Sequence, residues 1–458
     1  MKKNLLKLVC LFVSLTLLIS LTACGSSQSN TAAEQSQKEK SEEKTAVKKD
    51  EAKPVKKTPV RVYCAWAEAQ LPNWKPLIDE YNKRTDATIE IKMEFLGSQG
   101  YHDKVKAEIM SGNPPEVFQQ FKTGFNEYAS AGMLKDLTDL FKSEGWYDIY
   151  NKGALKWAGP IVNEKNEIFG IPDFASTSVI FYNVNMFKEL GINEPTNIDE
   201  LIAVSKKLNA AGKKAIVTGA NGWCSVDLFA KVQAQIAGVK PLIDAYTGKG
   251  KYTDASLLES MKIVQKLVKE KAVDPSSASM NDDDAIATFV AGGAGMYTAI
   301  TAMTALLDNM AKEKPGFSYD VIKKMDFVPN PKVGFSTTWG SLWCVSKDVK
   351  NADGAYEALK FLFGENVSKD TVKKVGKIYN VEKWNEELSN PALKTAVKYH
   401  MPNAASEDSF FLIDMVSSKV FDNLMKGIQS MIQDSTTPEK VLDQAQKTWE
   451  TELAQKGK

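Results

Sequence analysis

Apolar positions are spaced in three different ways along this chain. Lys2, Lys3 and Lys7 lead into a largely apolar stretch, Leu8 to Leu21. It is shorter than the roughly 18–20 residues a membrane span needs, so it predicts an export signal rather than a transmembrane helix. Residues 25–58 are mostly Ser, Gln, Ala, Lys and Glu with no aromatic residue and almost nothing apolar, a composition that predicts a disordered tract. Regular periodicity begins at Val60. "VRVYCAW" alternates and reads as a strand. In "PNWKPLIDEYNKR", Trp74, Leu77, Ile78 and Tyr81 recur at i, i+3, i+4 and i+7, one face of a helix. "ATIEIKMEF" is a second strand, and Tyr101, Val105 and Ile109 mark a second helix that ends near Gly112-Asn113-Pro114.

The order β-α-β-α predicts a mostly parallel sheet with helices on its faces. The same grammar restarts later. "IFGIPDFASTSVIFYN" is a long extended stretch, and Thr196-Asn197-Ile198-Asp199 looks like a helix start with a hydroxyl cap and an acid three residues on. That helix turns Ile198, Leu201, Ile202 and Leu208 inward and stops at Gly212, with "KAIVTG" as a further strand. Two α/β units follow one another without a floppy linker, the pattern of two lobes sharing hinge strands, with ligand held in the gap at the carboxyl ends of strands.

Composition narrows the chemistry. A chain of 458 residues, 43% hydrophobic and 25% charged, can build two or three cores, and a net charge of +1 gives no excess for nucleic acid. The arginines are Arg61 and Arg84, which weakens the case for phosphate or carboxylate ligands but leaves lysines or helix N-termini to serve them. His102 and His400 are the two histidines, too few for a zinc site and placed without a nucleophile motif for triad catalysis. No metal or cofactor is expected. Asp282-Asp283-Asp284 reads as the start of a helix running to Val290, capped by Asn281 or Asp282. "AGGAG" is not the phosphate-cradling GxxxxGK[ST] loop. The five cysteines show no CxxC pair, and Cys64, Cys224 and Cys344 are expected as buried thiols.

Leu21-Thr22-Ala23-Cys24 resembles the lipobox of bacterial lipoproteins. The resemblance implies that residues 1–23 are removed, that Cys24 is lipidated, and that residues 24–58 tether an exported body to the extracytoplasmic face of the membrane. Two acyl chains hold firmly where one binds reversibly. "SGNPPEVFQQFKTGFNEYASAGMLKDLTDL", "FGIPDFASTSVIFYNVNMFKELGINEPTNIDELIAVSKKLNAAG", "FVAGGAGMYT" and "WGSLWCVSKDVKNADGAYEALKFL" resemble, in order, blocks of the extracellular solute-binding proteins that feed sugars to ABC importers. There are departures: Gly293 replaces a basic residue, Thr301-Ala302-Met303 replaces a G.W motif, and Pro195-Thr196-Asn197 lacks a tryptophan.

The family resemblance implies a two-lobed α/β fold of the periplasmic-binding-protein type (class II). Each lobe would be a mostly parallel sheet with flanking helices, joined by hinge strands. Residues 59–173 with 296–337 are expected as one lobe, and 174–295 with 338–458 as the other. It also implies a monomeric, non-enzymatic receptor that closes on a carbohydrate and docks on permease subunits. A receptor for glycerol phosphate or a polyamine is an alternative, and a secreted carbohydrate-processing enzyme is another, although that would need a pair of cleft carboxylates.

A sugar needs flat rings for its C–H faces and short polar groups for its hydroxyls. Trp66 and Glu68 stand at the end of the first strand, and Gln119 and Gln120 close "EVFQQ". Phe174 follows "IPD", where Asp173 reads as a hinge-capping acid. Trp223 lies in a Gly-Trp loop with Asp227 four residues on, Tyr297 follows "GGAG", and Trp339 follows two threonines, whereas Trp343 reads as core. "HMPNAASEDSFFLIDMV" resembles a segment of maltose-type binding proteins in which an aromatic residue stacks on sugar, a position taken by Phe411.

Overall fold

The computed structural model describes residues 56–97, 100–161, 166–401 and 412–455; the signal segment, Cys24, most of the tether and Phe411 lie outside them. Strand β1 (Thr58–Cys64) pairs in parallel with β2 (Ile89–Phe95) and β3 (Val117–Gln120), with the helices Trp74–Lys83 and Tyr101–Met110 as crossovers. The predicted β-α-β-α unit is therefore present. Short strands β4 (Ile171–Pro172) and β10 (Leu342–Cys344) complete this sheet in the order β2-β1-β3-β10-β4.

The second sheet is built on β5 (Phe174–Asn183), ten consecutive buried residues. Its path is β11-β5-β7-β6, from β6 (Lys214–Val217), β7 (Ala294–Ile300) and β11 (Ile378–Tyr379). Strands β8 (Tyr319–Val321) and β9 (Thr337–Thr338) also pair with β5. The expected parallel pairing holds for β6 with β7 and for β1 to β3, whereas β5 runs antiparallel to every partner it has, and β10 antiparallel to β3 and β4. The antiparallel strands include the ones that carry the chain between sheets, where no crossover helix forces a common direction.

Sheet membership corrects the expected lobe boundaries. β7, placed by sequence at the start of a returning segment of the first lobe, lies in the second sheet, and β10, assigned to the second lobe, lies in the first. The helices Ala352–Phe363 and Glu365–Val375 also belong with the first sheet, where Trp74 packs on Trp343 and Phe363 and its indole N–H donates to Thr371 Oγ1 at 3.0 Å. The chain thus crosses at three places: Asp173, residues 339–341, and residues 376–377. Period alone cannot say which sheet a two-residue or three-residue strand joins.

Local signals were otherwise well placed, with one shift. Asn197, not Thr196, caps the helix Ile198–Ala210, its side chain accepting from the N–H groups of Asp199 and Glu200, while Thr196 donates to Glu200. Either residue type can cap, and the deciding factor is which one sits in extended backbone one step before the first turn. Asn281 caps Asp282–Val290 with a reciprocal bond to Asp284, as expected of that acidic run. Cys64, Cys224 and Cys344 are buried and unpaired. Among the described residues, no helix is long and apolar enough to cross a membrane.

The crossings converge on Asp173. Its Oδ1 accepts from the backbone N–H of Phe174 (2.6 Å) and Ser341 (2.7 Å). Its Oδ2 accepts from the Ser341 hydroxyl, Gln119 Nε2 (3.1 Å), Trp343 Nε1 (3.2 Å) and Trp66 Nε1 (3.4 Å). Gly340, at φ +88°, lets residue 341 reach it, because a Cβ there would lie 2.1 Å from Asp173 Oδ1 and 2.4 Å from the Phe174 carbonyl oxygen. Asn380 ties in the third crossing, donating to the carbonyls of Asp173 and Trp339 at 3.3 Å each. Burial raises the Asp173 carboxyl pKa, and the donors from Ser341 and Phe174 pull it back down.

Two stability predictions follow from this packing. Asp173→Asn keeps the shape but turns one acceptor into a donor facing other donors. We expect it to lower the unfolding free energy by about 3 kcal/mol or more, read from urea denaturation; a loss below about 1 kcal/mol would remove the role assigned to this carboxylate. His400, behind the helix Pro391–Tyr399, is buried, stacks on Phe335, and donates from Nε2 to the Ile322 carbonyl at 2.9 Å. Burial lowers its pKa to about 4. The folded state therefore prefers neutral imidazole: this contribution is fully present above about pH 6.5 and is lost as pH falls through about 4, a change of about 3 kcal/mol. His400→Gln should flatten that part of the stability–pH curve, and an unchanged curve would contradict the assignment.

Candidate functional site

A cavity of about 550 Å³ opens between the two sheets, within the range of about 300–1,000 Å³ common for small-molecule sites. One wall comes from residues just past the carboxyl ends of β1 and β3: Ala65, Trp66, Gln70, Phe121, Lys122 and Thr123. The facing wall comes from the second sheet and its crossings, notably Phe174 to Ser176, Ile300 to Met303, Thr338 and Lys377. Strand ends place both sets there. Each parallel strand hands the chain to a helix at its carboxyl end, which leaves the joining residues free to face the gap.

Three rings define the apolar part. Trp66 is half-buried, and Phe121 meets it edge-on with centroids 5.9 Å apart. Phe174 completes the group from β5. The Trp66 indole N–H is tied to Asp173, so the ring is fixed by its polar end and shows a face to the cavity. The polar part is made of short groups. Ser176 and Thr301 hydroxyls lie 3.2 Å apart, the Ala302 N–H donates to Ser176 Oγ at 2.8 Å, and the Thr177 N–H donates to Thr301 Oγ1 at 3.1 Å. Gln70 braces its turn by accepting from the Ala67 N–H at 3.0 Å.

Charged groups at the edge are mostly committed. Lys122 donates to the carbonyls of Trp157 and Gly159 and lies over the Phe125 ring at 4.6 Å. Asp414 accepts from Trp157 Nε1 at 3.1 Å. Burial pushes the Lys122 pKa down and the Asp414 pKa up, while the attraction between the two opposes both shifts. Among the described residues no cluster of His, Cys, Asp and Glu is arranged to hold a metal ion.

Of the residues singled out from sequence, Trp66 and Phe174 line the cavity. Glu68 is exposed in the turn Glu68–Gln70, and Gln70, two residues on, reaches the cavity instead. Gln119 is consumed by the crossing, bonding Asp173, Ser341 and the Ala65 N–H. Gln120 is fully buried beside His102 and Gly124. Asp227 opens the helix Asp227–Ile236 in the core of the second lobe, where its carboxylate meets Lys231, Ser178 and Thr298. Tyr297 faces inward from β7 and stacks on Phe181 at 5.8 Å. Trp339 is buried against Gly153, where an added Cβ would sit 2.7 Å from its ring, and its neighbours Thr338 and Gly340 line the cavity in its place. Trp223 begins the turn Trp223–Val226, and its side chain lies outside the described atoms.

Sequence reasoning missed Lys122, Ser176, Thr338, Lys377 and Asp414. The Thr301-Ala302-Met303 turn was visible as a departure from the family pattern, and it is a lining element. Gly376, between a helical run and the short extended pair Ile378-Tyr379, is the available signal for Lys377.

Comparison with known proteins agrees with this architecture. A relative named "Probable sugar-binding periplasmic protein", from Mesorhizobium japonicum, is 27% identical over 134 residues, 29% of this chain and 31% of the relative; the chain thus matches about a third of that protein's length. The sn-glycerol-3-phosphate-binding periplasmic protein UgpB of Shigella flexneri is 24% identical over 318 residues, 65% of this chain and 71% of that protein. Among solved structures, the bacterial solute receptor AcbH, described as preferring β-D-galactopyranose, superposes with a TM-score of 0.72 at 16% identity, covering 86% of this chain and 98% of AcbH. Residues 66–369 match the family model described as bacterial extracellular solute-binding protein. With two sheets, three crossings and a ring-lined cavity between them, the chain belongs to the bacterial extracellular solute-binding proteins.

Proposed function

We propose that this protein captures a saccharide between its two lobes and delivers it to the permease of an ABC importer, tethered to the outer face of the membrane through lipid on Cys24. The observation that carries this reading is the pairing of Trp66, Phe121 and Phe174 with short hydroxyl and amide groups across one cavity. A pyranose has two apolar C–H faces and a rim of hydroxyls. Rings accept the former, and fixed donors and acceptors such as Ser176, Thr301 and Gln70 suit the latter. A wrong epimer leaves a buried polar group unpaired at a cost of about 1–3 kcal/mol, which gives stereochemical choice without catalysis.

Binding across a gap also supplies the signal. Contacts from both walls are complete when the lobes close, so the ligand shifts the open–closed balance by its preference for the closed form. A permease that recognises the closed outline then senses occupancy. The lining is poor in the groups hydrolysis needs: among the described residues the cavity carries one carboxylate, Asp414, already bonded to Trp157, where glycoside hydrolysis uses two. The relatives named for sugars agree with a carbohydrate ligand.

Isothermal titration against mono- and oligosaccharides tests the reading. Trp66→Ala should weaken binding of the preferred sugar by at least about tenfold through loss of a stacking face, with the fold retained. Unchanged affinity in Trp66→Ala and Phe174→Ala would remove the assigned site, and product formation would remove the receptor assignment. For the anchor, Cys24→Ser should move the protein from the membrane fraction to the medium, and persistence in membranes would refute lipidation at Cys24.

A further inference from the structure

Among the charged lining groups, Lys377 is the one that forms no ion pair or hydrogen bond with the described residues. It follows Gly376, whose φ of +71° turns the chain out of the helix Glu365–Val375, and it lies between Gly376 and Ile378, which also line the cavity. Its Nζ lies 5.3 Å from the Trp66 ring centroid and 5.6 Å from that of Phe174. It forms no ion pair or hydrogen bond among the described residues, and the carboxylate that acts on it is Asp173, whose oxygens are engaged by the crossing. Burial holds the Lys377 pKa below its usual value.

Two ring faces stabilise an ammonium by about 0.5–2 kcal/mol, but they leave its three N–H donors unanswered. A solvent-facing lysine would turn those donors to water. Here, any ligand that fills the cavity displaces that water from beside the charge, and a neutral ligand would leave it buried without compensation. The three charges of the lining are Lys122, Asp414 and Lys377. Lys122 is hydrogen-bonded to two carbonyls and Asp414 to Trp157, and the two charges attract and offset one another, so the charge left over in the lining is that of Lys377.

We infer that the saccharide taken by this site is acidic: a uronate-type sugar packed against the wall that Trp66 and Phe121 form while its carboxylate accepts from Lys377. This rests on the saccharide reading above and names the class within it. The charge count selects the carboxylate. A phosphate ester carries about −1.5 to −2 at neutral pH and would leave negative charge unanswered by a single ammonium. Lys377 would then set specificity, and the rings would set affinity for the sugar plane.

The experiment is titration calorimetry on the purified protein with matched pairs: galactose and galacturonate, glucose and glucuronate, and disaccharides built from them, with sn-glycerol 3-phosphate as the phosphate arm. The uronate of at least one pair should bind tenfold or more tightly than its neutral partner and weaken as ionic strength rises. Lys377→Met should abolish the preference, weakening the uronate and relieving the penalty on its neutral partner, and Lys377→Arg should keep the preference; circular dichroism checks that both variants are folded. Equal or tighter binding of the neutral partners, a preference that survives Lys377→Met, or glycerol phosphate binding more tightly than every uronate would overturn the inference while leaving a receptor in place. Failure of every saccharide to bind would overturn the saccharide reading with it.

Discussion

One buried carboxylate holds the geometry on which everything else in this protein depends. Asp173 stands where the chain leaves the first sheet for the second, and donors from four separated parts of the sequence close on it: Trp66 just past β1, Gln119 in β3, Phe174 next to it, and Ser341 and Trp343 from the returning segment. Taking a carboxylate out of water costs several kcal/mol, and single donors would not offset it. A full set does, and the set exists only when all the crossings are in register. The charge therefore selects one arrangement of the strands over its near neighbours.

That arrangement fixes the binding wall as well. Trp66 is held by its indole N–H to the same carboxylate that organises the crossings, so the largest flat surface in the cavity is aligned by the hinge itself. Phe174 begins directly after Asp173, and Thr338 and Gly340 precede Ser341. Lining residues from both sheets lie within a few positions of the joint. The joint between the sheets thus adjoins the cavity it organises.

Much of the fold was legible in the chain. Helical spacing at Trp74, Leu77, Ile78 and Tyr81 and alternation in "ATIEIKMEF" identified the first α/β unit, because each of those elements buries one continuous face. The site was read less well, for a physical reason. Aromatic and amide residues near strand ends look alike in sequence whether they face a ligand or a neighbouring strand. Tyr297 and Trp339 went to the core, Gln119 to the hinge and Asp227 to a buried pair with Lys231. Short strands fared worst: β10 is three residues long and carries no periodicity of its own, so its return to the first sheet depends on contacts with β3 and β4 that are distant in sequence.

Cys64 in β1, Cys344 in β10 and Cys224 in the second lobe are each fully shielded, and burial raises the pKa of all three thiols. Unreactive in the native state, they become available only when their own lobe comes apart, two reporting on one half and one on the other. The molecule thus carries built-in chemical reporters of its unfolding: alkylation rates at the individual sulfurs would give the order in which the halves open, without any added label.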